Sequence, residues 1–157
     1  MTSPKSASRT ALSAVTADTV VTSLLTVGTS GRGFIDLTGE VRRFVGDAGA
    51  REGAVTLFIR HTSASLTIQE NADPSVLDDL MMVFDRLAPE DAGWTHDSEG
   101  PDDMPAHVKS MLTASSLHVP VLKRELALGT WQAIYLIEHR RHPHRREIVL
   151  QFFGAIG

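Results

Sequence analysis

Two rhythms of apolar and polar positions run through this chain, and the switches between them predict its elements. Val20, Val21, Leu24, Leu25 and Val27, set among β-branched threonines, predict a strand that ends at a glycine-bounded turn over residues 28–33. Phe34, Ile35, Asp36 and Leu37 predict a second, short strand. Val41, Phe44 and Val45 then recur at i, i+3 and i+4, so an amphipathic helix capped by Thr38 is expected, stopped by the glycines of 46–49. The apolar run 54–59 reads as a central strand that delivers His61 at its end, and 65–69 alternates at period two as a half-buried strand does. Asp73-Pro74 opens a helix with an acidic cap and a first-turn proline; Val76, Leu77, Leu80, Met81 and Phe84 give it an apolar face, and it should end near Leu87.

Residues 89–105 break the rhythm. They are rich in Pro, Gly and acidic side chains and predict a long irregular segment, the kind that in a small domain often carries function. A helix over about 105–112 follows, with His107 and Lys109 near its first turns, and 117–122, 133–139 and 147–153 are the remaining strands, with 123–129 as a hairpin connection. Strands interleave with a few helices without strict alternation, so the fold class is α+β: one domain over 18–157, with mixed or antiparallel sheets. Residues 1–17, rich in Ser, Thr and Ala with no apolar period, are expected to form a flexible leader.

Composition narrows the function. A chain of 157 residues, 42% hydrophobic and 22% charged, can bury one real core. A net charge of −4 gives no global reason to bind nucleic acid, so any anion binding must be local. The absence of cysteine removes disulfides, thiolate catalysis and cysteine-ligated zinc together. No apolar stretch approaches the roughly 20 residues of a membrane helix, and no secretory core stands near the start, so a cytoplasmic location without a membrane partner is expected.

Three polar clusters are denser in capable side chains than ordinary turns: His61-Thr62-Ser63, Asn71-Ala72-Asp73, and His96-Asp97-Ser98-Glu99 running on to His107. Imidazole titrates nearest working pH and is the commonest metal ligand, so the site is expected to centre on histidines. Thr62 and Ser63 sit in a turn of small residues suited to holding an oxyanion or phosphate, and no nucleophile elbow accompanies Ser63. Helix capping competes as an account of Asp73, and a solvated acidic loop competes with a metal site built from His61, His96 and His107. A divalent ion, magnesium or zinc, is the cofactor considered. The one concentrated basic stretch, 138–146, holds four arginines that could clamp the phosphate of a small metabolite or pair with the acidic loop of a neighbouring subunit, and otherwise reads as a solvated hairpin tip. His118 reads as strand surface and Trp131-Gln132 as a packing corner at a strand entry.

Five ordered motifs carry a family resemblance: HTSASLT at 61–67, ENADPSV at 70–76, HDSEGPDDMPAH at 96–107, LGTWQ at 128–132 and EHR at 138–140. The chain resembles the YjbQ family, also described as secondary thiamine-phosphate synthase. That resemblance spans about residues 20–153 and implies an α+β fold of its own type, assembled as a homotrimer. It implies a pocket near the His61 turn involving Thr62, Ser63, Asn71, Asp73, Glu99, His107 and His139. The activity implied joins a pyrimidine methyl pyrophosphate to a phosphorylated thiazole with loss of pyrophosphate, as a main or a side reaction. In that reading His61, His107, Glu99 and His139 are catalytic; Thr62, Ser63, Asn71, Lys109 and Arg140 bind substrate; His61, Asp73, His96 and His107 are metal ligands. A metal-dependent hydrolase or phosphatase using the same histidines, and a non-catalytic metabolite-binding module, are the alternatives.

Overall fold

The computed structural model describes residues 6–157. Of the expected leader, 6–18 is exposed and without regular structure, and 1–5 lies outside the described residues. The elements are β1 (Thr19–Thr29), β2 (Gly33–Asp36), α1 (Thr38–Asp47), β3 (Ala50–Ile59), β4 (Ala64–Glu70), α2 (Ser75–Leu87), α3 (Asp103–Leu112), β5 (Ser116–Leu122), β6 (Glu125–Leu126), β7 (Gln132–Glu138) and β8 (His144–Ile156).

Two antiparallel sheets result, one of five strands in the order β1-β8-β3-β5-β6 and one of three in the order β2-β7-β4. Alternation aims Val55, Leu57 and Ile59 of β3 and Ile148, Leu150 and Phe152 of β8 into a common core with Leu66 of β4, Ile134 and Leu136 of β7, and Val41, Phe44 and Val45 of α1. Each such side chain, fully buried, stabilises the fold by about 1.5–3 kcal/mol.

Strand β7 is buried on both faces from Ala133 to Glu138. Parity then separates its end: Glu138 shares the core side with Leu136, and His139 follows Ile137 toward α2, where it meets Phe84 edge to face at 5.6 Å. Helix α2 turns its expected apolar face inward, with Phe84 buried and Leu77, Leu80 and Met81 half-buried, while Val76 of that face, and Met82, Val83 and Leu87 beyond it, stay substantially exposed.

Local details depart from expectation at three points. The Asp36 carboxylate, not Thr38, accepts the first-turn N–H of α1 at 2.8 Å, and the Thr38 hydroxyl instead takes the Ile134 N–H at 2.9 Å. Strands β3 and β8 start earlier than the apolar runs suggest, because long antiparallel pairing with each other and with β1 carries polar residues at their ends. Trp131 is 57% exposed, so it is not a packing corner; the backbone carbonyl of that residue accepts the Asn71 N–H at 3.0 Å.

Candidate functional site

The acidic segment 89–102 folds back onto the start of α3, and there two imidazoles meet one carboxylate. His96 Nε2 lies 2.7 Å from Asp103 Oδ2 and 3.2 Å from Glu99, and His107 Nε2 lies 3.4 Å from the same Asp103 oxygen. Helical spacing explains the second contact, since Asp103 and His107 stand at i and i+4 on one face of α3. One ligand atom from each of His96, Asp103 and His107 falls within 4.8 Å of the others, a spread that one ion can bridge. The Asp103 side chain is 4% exposed while those of His96 and His107 are 43% and 37%, so the cluster is rooted in the protein and open to solvent.

Arg140 supplies the root. Its guanidinium binds Asp103 Oδ1, reaches Asp102 at 3.2 Å and donates to the Glu99 carbonyl at 2.8 Å; the Arg141 N–H donates to Asp102 at 2.9 Å. Burial works to raise the Asp103 carboxyl, but the His96 hydrogen bond and the charges of Arg140 and His107 outweigh it and hold the group below the usual carboxylate range. The Asp103 hydrogen bond in turn raises His96 above an ordinary histidine.

One residue before Arg140, His139 is buried. Its Nε2 lies 2.8 Å from the buried Ser65 hydroxyl, to which Thr113, just past the end of α3, donates at 2.6 Å. Burial above all, with the nearby Lys109 charge, lowers the His139 pKa to about 3, so the ring is neutral at any ordinary pH. Its Nδ1 has no hydrogen-bond partner among the described residues. Glu138 is fully buried and paired with Arg146 at 2.6 Å, and also accepts from the Thr29 hydroxyl at 2.8 Å and the Arg140 N–H at 3.0 Å.

His61 stands apart from the metal-type cluster. Its Nε2 accepts the backbone N–H of Glu147 at 2.9 Å beside the Arg146–Glu138 pair, and burial followed by the Arg146 charge lowers its pKa. Thr62 is exposed. Ser63 accepts through its backbone carbonyl from the His139 N–H and from Arg146, at 3.3 Å each.

A family model described as UPF0047 protein YjbQ-like matches residues 23–155. The chain belongs to the YjbQ family. It is 46% identical to UPF0047 protein sll1880 of Synechocystis sp. over 134 residues, covering 85% of this chain and 91% of that one. It is 42% identical to UPF0047 protein YjbQ of Escherichia coli O157:H7, covering 83% and 95%. Among solved structures it resembles an uncharacterized conserved YjbQ/UPF0047 family protein from Clostridium acetobutylicum, with a TM-score of 0.76 at 35% identity and coverage of 82% and 98%. A hypothetical protein of Aeropyrum pernix superimposes with a TM-score of 0.79 at 28% identity, covering 86% and 99%.

In this YjbQ-family chain the sequence-selected residues form separate groups. His96, His107 and Glu99 come together with Asp103; His139 joins Ser65; His61 joins the β8 backbone. Asp73 is not drawn to the histidines as a metal ligand: it is exposed and spends its carboxylate on the Ser75 N–H at 3.0 Å and hydroxyl at 2.7 Å, a helix cap that also lowers its pKa. Asn71 is exposed beside it. Arg140, expected to bind phosphate, has its guanidinium taken by Asp102 and Asp103; Arg141 pairs with Glu90 at 2.8 Å and Arg146 with Glu138. Arg140 and Arg141 therefore pair with the acidic segment of their own chain. Lys109 is buried and reaches Asp85 at 3.1 Å, its pKa lowered by burial despite that partner.

Three residues escaped the reading of the sequence. Asp103 looked like one acidic residue among several, although its i, i+4 relation to His107 was visible; Arg32 and Asp85 lie in a turn and on a helix surface, and nothing local marks their meeting with Lys109.

Proposed function

We propose that this protein is a metal-dependent hydrolase of a small phosphorylated metabolite, with one divalent ion held by His96, Asp103 and His107. The convergence of two imidazoles and one carboxylate oxygen within 4.8 Å carries this reading. Three such ligands with an open fourth position are the donor set of catalytic zinc, whereas magnesium asks for oxygen throughout. The ion would bind a water and ease its deprotonation toward neutral pH. Glu99, exposed at the rim and 3.2 Å from His96, takes the water proton. In the hydrolysis that such an ion would support, a water oxygen would bond to phosphorus as the ester P–O bond breaks, and the leaving oxygen would take back the proton held by Glu99, giving an alcohol and inorganic phosphate. Metal analysis and turnover of p-nitrophenyl phosphate with Zn²⁺, Mn²⁺ or Fe²⁺ test the reading. Protein that takes up none of these ions overturns it.

The five motifs of the chain favour a second reading, thiamine-phosphate synthesis: the pyrimidine methyl pyrophosphate breaks its C–O bond, pyrophosphate departs and the thiazole nitrogen bonds to the carbon. Incubation with both substrates and fluorimetric detection of product separates it from hydrolysis. Thermal stabilisation by phosphorylated metabolites without turnover would favour a non-catalytic binding module. The resemblance also proposes a homotrimer, in which the exposed apolar side chains of α2 would find cover, and light scattering gives the stoichiometry.

A further inference from the structure

Behind the histidine cluster lies a second polar constellation that the metal does not use. Arg32, in the turn between β1 and β2, and Lys109, on α3, converge on the single carboxylate of Asp85 from α2. The Lys109 side chain is 4% exposed and that of Asp85 52%, so two rooted cations share one superficial anion. The Arg32 Nε is buried with no hydrogen-bond partner among the described residues, a donor that costs free energy until an acceptor reaches it.

Arg32 and Asp85 line a cavity of about 380 Å³ whose far wall holds Arg141, Glu90 and Asp91. Glu90 is neutralised by Arg141 at 2.8 Å. Glu90 and Asp91 are also the near wall of a second cavity, about 310 Å³, that reaches His96. Glu90 and Asp91 thus stand between the cavity of Arg32 and the one that reaches His96.

We propose that Arg32 and Lys109, with Arg141 at the rim, form the seat for the phosphate group of a small metabolite, and that Asp85 occupies this seat in the free protein and turns out to solvent when phosphate arrives. Arginine offers a planar fork of N–H donors matched to phosphate oxygens, and the unpartnered Nε completes that fork. Asp85 can yield because its helix is lightly packed, with Phe84 as the one buried side chain of α2. Once Asp85 leaves, Arg32 and Lys109 lose the carboxylate they share. The seat lies in a different cavity from the one His96 lines, so it goes beyond the hydrolase reading as a separate phosphate site, and it does not require the metal.

The test uses the full chain stripped of metal with EDTA and titrated calorimetrically with inorganic phosphate and with glycerol phosphate. Saturable binding of both is expected. Arg32→Gln should weaken it at least fivefold and Asp85→Asn should tighten it severalfold, while Arg124→Gln, on another face, leaves it unchanged; near-UV circular dichroism confirms that each variant is folded. Failure of wild type to bind either probe overturns the proposal, as does binding of inorganic phosphate without the ester, or affinity indifferent to Arg32→Gln. Phosphate binding retained by a chain that takes up no zinc would sustain the seat and sink the hydrolase.

Discussion

Asp103 reaches His96 through Oδ2 at 2.7 Å and leaves Oδ1 to Arg140. One oxygen faces the imidazoles while the other is anchored, the outer support that orients a ligating carboxylate. Arg140→Lys keeps the charge and loses the planar fork, so zinc affinity measured against a competing chelator should fall about 10–100-fold in a folded protein. His107→Ala, which deletes a ligand, should fall further. Wild-type affinity in Arg140→Lys would show that the guanidinium does not orient the site.

His139 makes the fold sensitive to moderate acid. Its pKa of about 3 lies below the ordinary histidine value of about 6.5, so the unfolded chain takes up a proton in that window and the native one does not. The stabilisation is complete above about pH 6.5 and is lost progressively as pH falls toward 3. By pH 4.5 wild type should lose about 2.7 kcal/mol more, relative to pH 8, than His139→Gln does in urea unfolding, at 1.36 kcal/mol per pH unit. Parallel pH profiles for the two proteins would refute this.

Glu138 and Arg146 form an ion pair with side-chain exposures of 0% and 3%. Removing one partner strands the other charge, so Glu138→Gln or Arg146→Met should each cost about 3–5 kcal/mol in denaturant unfolding. Glu138→Gln should cost at the upper end, because Thr29 and the Arg140 N–H also depend on that carboxylate. A loss below 1 kcal/mol in both would mean that water reaches the pair.

Gly53 and Gly154 face each other across β3 and β8. A Cβ at Gly154 would stand 2.2 Å from the Glu52 carbonyl oxygen and 2.6 Å from the Phe152 ring, and neither neighbour is a flexible side-chain tip. Gly154→Ala should therefore lower the melting temperature by several degrees and cost more than 2 kcal/mol, on the scale of overpacking a core. An unchanged melting curve would contradict the tight crossing.

Periodicity made most elements legible, because a buried face imposes period two or 3.6 on the residues that fill it. It failed at the starts of β3 and β8, where Arg51-Glu52-Gly53 and His144-Arg145-Arg146 carry no apolar alternation and join the sheet by backbone pairing. In the site, the histidines announced themselves by chemistry, and His96 with His107 did converge. What could not be read was pairing across distance: Arg140 with Asp102 and Asp103, or Arg32 with Asp85, are meetings set by the packing of elements and leave no local pattern.

The bond between His61 and Glu147 has one more consequence. Because Nε2 accepts that backbone N–H, the neutral ring must carry its proton on Nδ1, a tautomer imposed by the neighbouring strand. Held this way, His61 can offer a hydrogen to whatever approaches it, but it has no lone pair to lend. To serve as a base or to coordinate an ion it must first give up the Glu147 N–H, which then needs another acceptor.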